Sequence, residues 1–295
     1  MTYPSTDAKL ELQTEAHLGE GPVWDEAEQK LYWVDLLSGN LHRYDPDDGN
    51  NISYDIGEHV GAAVLRESGG FVLALASGFA FYDPDTGRIE PISEPESDKP
   101  GNRFNDGKCD PSGRFWAGTM AYDLKEGAGS LYCLTRDLKV KRKLSGITIS
   151  NGLAWNRAAD RFFYIDTPTG NVYSFQYNDQ SGEITDKQTV FHVENEMGYP
   201  DGMTIDTEDK LWVALYAGGK VIRIDPVAGE IIYEIHLPVP KVTSCTFGGK
   251  ELNELYITTC REHMTDEEIE KFPLSGSLFK AKLPFKGLPA DRYSA

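Results

Sequence analysis

Six short segments of the chain each set a leading residue against a small one. They read E-GPVW (20–24), V-GAAV (60–64), D-GKCD (106–110), N-GLAW (151–155), D-GMTI (201–205) and S-CTFG (244–248). The leading residues are Glu20, Val60, Asp106, Asn151, Asp201 and Ser244. Three carboxylates and an amide at equivalent positions make an all-oxygen donor set. Held together in a narrow space, such carboxylates repel, and their pKa values climb unless a cation is present. Hard oxygen donors suit Ca²⁺, Mg²⁺ or Mn²⁺ ahead of a structural zinc. The same residues could instead satisfy strand ends or bind channel water, and their types alone leave both readings open.

Other chemistries find little support. The histidines at 17, 42, 59, 192, 236 and 263 form no H-x-H or H-E-x-x-H pair. No Gly-x-Ser-x-Gly elbow, phosphate loop or dinucleotide fingerprint occurs, so serine nucleophiles and nucleotide cofactors are not indicated. Cys109, Cys133, Cys245 and Cys260 lie far apart in apolar, strand-like stretches without a C-x-x-C pair. They read as reduced, buried thiols, not as a disulfide framework or zinc knuckle.

The elements that position the six leading residues repeat with them. Aromatic and β-branched strands recur as LYWVD (31–35), GFVLAL (70–75), RFWAG (114–118), RFFYID (161–166), KLWVAL (210–215) and ELYIT (254–258). Taking Leu31, Phe71, Phe115, Phe162, Leu211 and Leu255 as equivalent, the steps are 40, 44, 47, 49 and 44 residues. Further strands and D-P-x-x-G turns follow, as in LHRYDPDDG (41–49), FAFYDPDTG (79–87) and VIRIDPVAG (221–229). Several strands per period of this length make a propeller blade, and the 3.6-residue spacing of a helical solenoid is missing. The expectation is an all-β, single-domain, six-bladed β-propeller over residues 1–295, with the six leading residues ringing the mouth of its channel. The strand at about 8–15, containing LELQTE, is expected to close the ring on the last blade. One short helix is expected in TDEEIEKF (265–272).

The bulk properties agree. A formal charge of −18 repels phosphate backbones and anionic lipid, so neither nucleic acid nor a membrane is an expected partner. No apolar run could span a bilayer. MTYPSTDAKL lacks the basic and apolar regions of a secretory signal, and the expectation is a cytoplasmic protein, monomeric or a small homo-oligomer.

Five longer segments resemble a known family: LGEGPVWD (18–25), NRFNDGKCDPSGRFWAGTM (102–120), ISNGLAWN (149–156), YPDGMTID (199–206) and TSCTFGG (243–249). In this order and spacing they are similar to the regucalcin (senescence marker protein) and gluconolactonase family over essentially the whole chain. The resemblance implies a six-bladed propeller that hydrolyses sugar lactones to aldonic acids with one divalent cation, drawn from Ca, Zn, Mn, Mg or Fe. It implies Glu20, Asn151 and Asp201 as metal ligands, with Asp106 beside them but off the metal. It further implies Arg103, Asn105 and an acidic residue after the G-T-M segment as the substrate-binding groups. The last is Asp123, where an aspartate stands in place of the family's longer glutamate, with Tyr122 just before it in the short loop 121–129.

Asp201, a ligand that would also touch water, is the expected general base in metal-assisted lactone hydrolysis. Two other readings compete. One is a calcium-dependent phosphotriester or aryl-ester hydrolase of related propeller type, which would favour an apolar pocket. The other is a non-catalytic, metal-binding regulatory propeller, in which Arg103 and Asn105 would have no task.

Overall fold

The computed structural model describes residues 3–295. Strands dominate it and form six antiparallel sheets arranged as the blades of a propeller. The innermost strands are Gly19–Asp25, Val60–Leu65, Asn102–Cys109, Ser150–Trp155, Tyr199–Ile205 and Val242–Gly248. Each pairs with an aromatic-rich second strand: Lys30–Asp35, Phe71–Leu75, Phe115–Ala121, Arg161–Asp166, Leu211–Tyr216 or Glu254–Thr259. These second strands are buried on both faces because the neighbouring blades cover them. Large β-branched and aromatic side chains suit that setting. Trp116 meets Trp155 of the next blade at 5.8 Å, and Trp212 meets Phe247 at 5.7 Å, both edge to face.

The D-P-x-x-G segments form the outer turns. Asp45, Asp83 and Asp225 accept the N–H of the residue two places on, at 2.9–3.0 Å. Gly49, Gly87 and Gly229 take the left-handed conformation that ends each turn. The N-terminal segment joins two blades. Ser5–Asp7 adds a parallel fifth strand to blade five, and Lys9–Leu12 pairs antiparallel with Leu278–Lys282 of blade six. Trp24 stacks on Tyr256 at 5.4 Å where the first and last blades meet. The only α-helix among the described residues is Asp266–Lys271, held by a Thr265–Glu268 capping box.

The lower end of the channel is closed, which the sequence reading did not foresee. Residues 286–294 cross it as a strap: Thr207 N–H donates to the Lys286 carbonyl, Tyr293 N–H to Leu65 and Ser294 N–H to Gly113. Tyr293 is fully buried, and its hydroxyl donates to the Thr135 carbonyl at 2.7 Å.

Two buried aspartates act as fasteners below the channel, Asp206 within blade five and Asp110 between blades three and four. Asp206 accepts the N–H groups of Glu208 and Lys210 on one oxygen, and those of Trp212 and Arg223 on the other, at 2.8–3.0 Å. Asp110 gathers Ser112, Arg114, Trp116 and Tyr177 in the same manner.

Candidate metal centre and substrate pocket

The upper end of the channel opens into a pocket of about 320 Å³. Every innermost strand carries a β-bulge close to this end, where its ladder with the second strand slips. Bulges bend a strand and re-aim its side chains. Counting back from the ladder partners of Leu31, Phe71, Phe115, Phe162, Leu211 and Leu255 gives the true equivalents: Glu20, Gly61, Asn105, Asn151, Asp201 and Thr243. The single ring expected from the small residues is therefore corrected in blades two, three and six, each by one position. Because side chains alternate along a strand, that step turns Asp106 and Ser244 to the opposite face. Both line a separate lower cavity of about 80 Å³, while Val60 is buried in the core.

Small residues let the bulges approach. A Cβ on Gly152 would lie 2.8 Å from the Asp201 carbonyl, and one on Gly202 would collide with Ser244. Only glycine permits that crowding, which brings Asn151 and Asp201 together.

Glu20, Asn151 and Asp201 line the pocket floor and are at most 7% exposed. Burial pushes the Glu20 carboxyl up to about 8, with Asp106 adding to the rise and the Gly21 N–H and Arg103 opposing it. Asp201 is raised well above the ordinary range, first by burial and then by Glu20, Asp106 and Glu262. Asp106 is raised as well, by burial, while nearby Lys108 pulls it down. Lys108 lies just below, its ammonium donating to the Met203 carbonyl at 2.6 Å.

A chain of hydrogen bonds fixes the amides. The Thr167 hydroxyl donates to the Pro200 carbonyl at 2.8 Å, so it must accept from Asn151 Nδ2, also at 2.8 Å. Asn151 Oδ1 is thereby turned to the pocket side, where Asn105 Nδ2 donates to it at 3.1 Å. Asn105 Nδ2 also donates to the Ser150 carbonyl, and its Oδ1 accepts from Arg103 at 2.6 Å. Both Asn105 donors are thus engaged within the protein, so in this arrangement it orients Arg103 and Asn151. Arg103 is 5% exposed and forms no ion pair among the described residues. Its Nη1 serves Phe104 and Asn105, leaving the remaining guanidinium N–H groups for a ligand.

Asp123 is not brought to this pocket. Its carboxylate accepts the Lys125 N–H at 3.2 Å in an exposed loop, whereas neighbouring Leu124 turns into the pocket through a left-handed backbone. Tyr122 covers Arg103 at 5.7 Å and meets His59 Nδ1 through its hydroxyl at 2.8 Å. Sequence reasoning also missed Thr167, Tyr216 and Glu262, all of which line the pocket. Each lies at or just beyond the mouth end of a second strand, and reading those ends blade by blade could have found them.

The donor chemistry fits a divalent cation: two buried carboxylates, both raised by burial and Asp201 further by Glu20, and an amide whose nitrogen is committed elsewhere. Among the described residues no three His, Cys, Asp or Glu side chains group as a metal site would need. The Asn151 oxygen stands beside the two carboxylates as a third oxygen donor at the pocket floor.

A family model described as the SMP-30/Gluconolactonase/LRE-like region matches residues 18–261. The chain belongs to that family. It is 42% identical to chicken regucalcin over 278 residues, covering 92% of this chain and 93% of the relative. It is 40% identical over 281 residues to a Bacillus subtilis protein provisionally named sugar lactone lactonase YvrE, covering 95% and 96%. The crystal structure of regucalcin from Agrobacterium tumefaciens, described as a calcium-binding protein, superposes with a TM-score of 0.95 at 28% identity, over 99% of both chains. No helix among the described residues is long and apolar enough to cross a membrane.

Proposed function

We propose that this chain hydrolyses sugar lactones to aldonic acids with one divalent cation held by Glu20, Asn151 and Asp201. The observation that carries the reading is the pair of buried carboxylates at the pocket floor, uncompensated beside an amide oxygen that Thr167 holds in place. Membership of the family and the lactonase name of a relative support the substrate class. A bound cation would polarise the lactone carbonyl and offset charge on the tetrahedral oxyanion.

The chain's own groups do the rest. Asp201 takes the proton of the attacking water, a role open to a carboxylate at the pocket floor. The free guanidinium N–H groups of Arg103 bind and orient the lactone ring. Asn105 keeps Arg103 and Asn151 at fixed separation through its two-sided amide. Tyr122 shields the guanidinium from solvent.

One feature favours the second reading, an apolar-ester or phosphotriester hydrolase: Met120, Leu124, Ile149 and Pro168 form an apolar wall. Turnover of δ-gluconolactone, phenyl acetate and a phosphotriester should be compared after chelation and after adding back Ca²⁺, Mn²⁺, Mg²⁺ or Zn²⁺. Metal-restored hydrolysis of the lactone well above the other two is the expected result. Activity that survives complete chelation would remove the metal from the mechanism.

A further inference from the structure

One carboxylate in the pocket has no task in the mechanism above. Glu262 follows the second strand of blade six and lines the pocket with Arg103, its side chain 20% exposed. Its backbone is fixed on three sides. The N–H donates to the His17 carbonyl at 2.9 Å, and its own carbonyl accepts from the Tyr216 hydroxyl and from the Lys241 ammonium.

The carboxylate, in contrast, accepts no hydrogen bond among the described residues. Its nearest base is His263, 3.7 Å away on a ring that is 75% exposed. A carboxylate at the pocket wall with no protein donor keeps open acceptor sites, which the hydroxyl groups of a ligand can fill. The opposite side of the pocket, on blades three and four, is the apolar wall of Met120, Leu124, Ile149 and Pro168. Glu262 and Tyr216 thus line the pocket from blades five and six, while blades three and four supply both Arg103 and this hydrocarbon. Asp123, out in its exposed loop, offers no second carboxylate.

We propose that Glu262 is the specificity-determining carboxylate, accepting hydrogen bonds from hydroxyl groups on the ring carbons near the lactone carbonyl. The far end of the preferred substrate lies on the apolar wall and carries fewer hydroxyl groups. This assignment rests on the lactonase reading above and names the part of the substrate that the site grips.

The metal-loaded full chain should be assayed on δ-gluconolactone and on δ-valerolactone, which keeps the reacting ring and lacks the hydroxyl groups. Glu262→Gln should lower kcat/KM on δ-gluconolactone roughly ten- to a hundred-fold, carried mainly by KM, the loss of a charge-assisted hydrogen bond. On δ-valerolactone at saturating metal it should stay within about two-fold. At saturating metal, an equal fall on both lactones or no fall on either would overturn the proposal. If the wild type hydrolyses neither lactone, the lactonase reading fails on its own. Glu262 is then judged by calorimetric binding of gluconolactam to the metal-loaded chain. A ten-fold or greater loss in Glu262→Gln supports it, and equal or undetectable binding in both proteins overturns it.

Discussion

Asp201 and Asp206 lie on or beside one innermost strand, five positions apart, and both are buried, yet their surroundings are opposite. Asp206 points below the channel and collects four N–H donors, with the Arg223 guanidinium 2.7 Å away. Asp201 points into the pocket and has only the N–H of Gly202 in its favour, against the charges of Glu20, Asp106 and Glu262. Blade three repeats the contrast, with Asp110 saturated below and Asp106 raised within the channel. A buried carboxylate saturated by its own protein is a fastener. One left short of positive charge at an opening is a place for something else to bind.

The contrast should break in opposite directions under mutation. Asp201→Asn removes a charge that the metal-free fold tolerates poorly, so the metal-free protein should melt no lower than the wild type. Turnover under saturating metal should fall by about 10²–10⁴-fold, the span of a lost general base. Asp206→Ala does the reverse, stranding Arg223 with only the exposed end of Glu208 as partner. Chemical denaturation should show a loss of roughly 3–5 kcal/mol, as for other broken buried pairs. Its folded fraction should keep wild-type kcat/KM. If Asp201→Asn proved the more destabilised of the two, the division into fasteners and binding groups would collapse.

Acidity sharpens the same comparison with a smaller effect. In the metal-free fold, burial holds the Glu20 carboxyl at about 8, against about 4.5 in the unfolded chain. Between those values the folded state binds the extra proton, so metal-free stability should fall as pH rises through that window. A cation must expel this proton, so its affinity should climb from pH 6 to 8 and level off above. Calorimetric titrations at pH 7 in two buffers of different ionisation enthalpy should register roughly one proton released per metal bound. Release of none at pH 7 would show that the floor carboxylates are already ionised without the metal.

The architecture was legible because six aromatic second strands mark six blades, and each carries its burial in its composition. Glu20, Asn151 and Asp201 were legible from their bulge glycines. The same rule misplaced blades two, three and six by one residue. In those blades the small residue stands one place away from the position it holds in the other three, and only the ladder register shows which residues are equivalent. The C-terminal strap was not legible, since its contacts to Leu65 and Gly113 are long-range backbone bonds without a side-chain signature. Asn105 was placed at the site, but its engagement on both sides depends on Ser150 and Asn151 in another blade. Glu262 is one acid among 47 acidic residues, and only its missing partners in three dimensions set it apart.

The smallest effect tests how the floor is held. Asn151 can offer a cation only its Oδ1, and an amide that flipped would offer N–H groups instead. Thr167 prevents the flip: its hydroxyl proton is committed to the Pro200 carbonyl, so toward Asn151 it can only accept. Thr167→Val keeps the shape and removes that acceptor, leaving Asn151 Nδ2 unpartnered and the Pro200 carbonyl without its donor. Supporting groups of this kind are worth about ten- to a hundred-fold in metal affinity. The lower figure is expected, because Asn105 still favours the same orientation by donating to Oδ1. Thr167→Ser restores the hydroxyl and should restore affinity, which a packing defect at this position would not allow. Calorimetric titration of the three proteins decides it: equal affinity in all would mean that Asn105 alone sets the amide, and the floor would then depend on blade three instead of the loop after blade four's second strand.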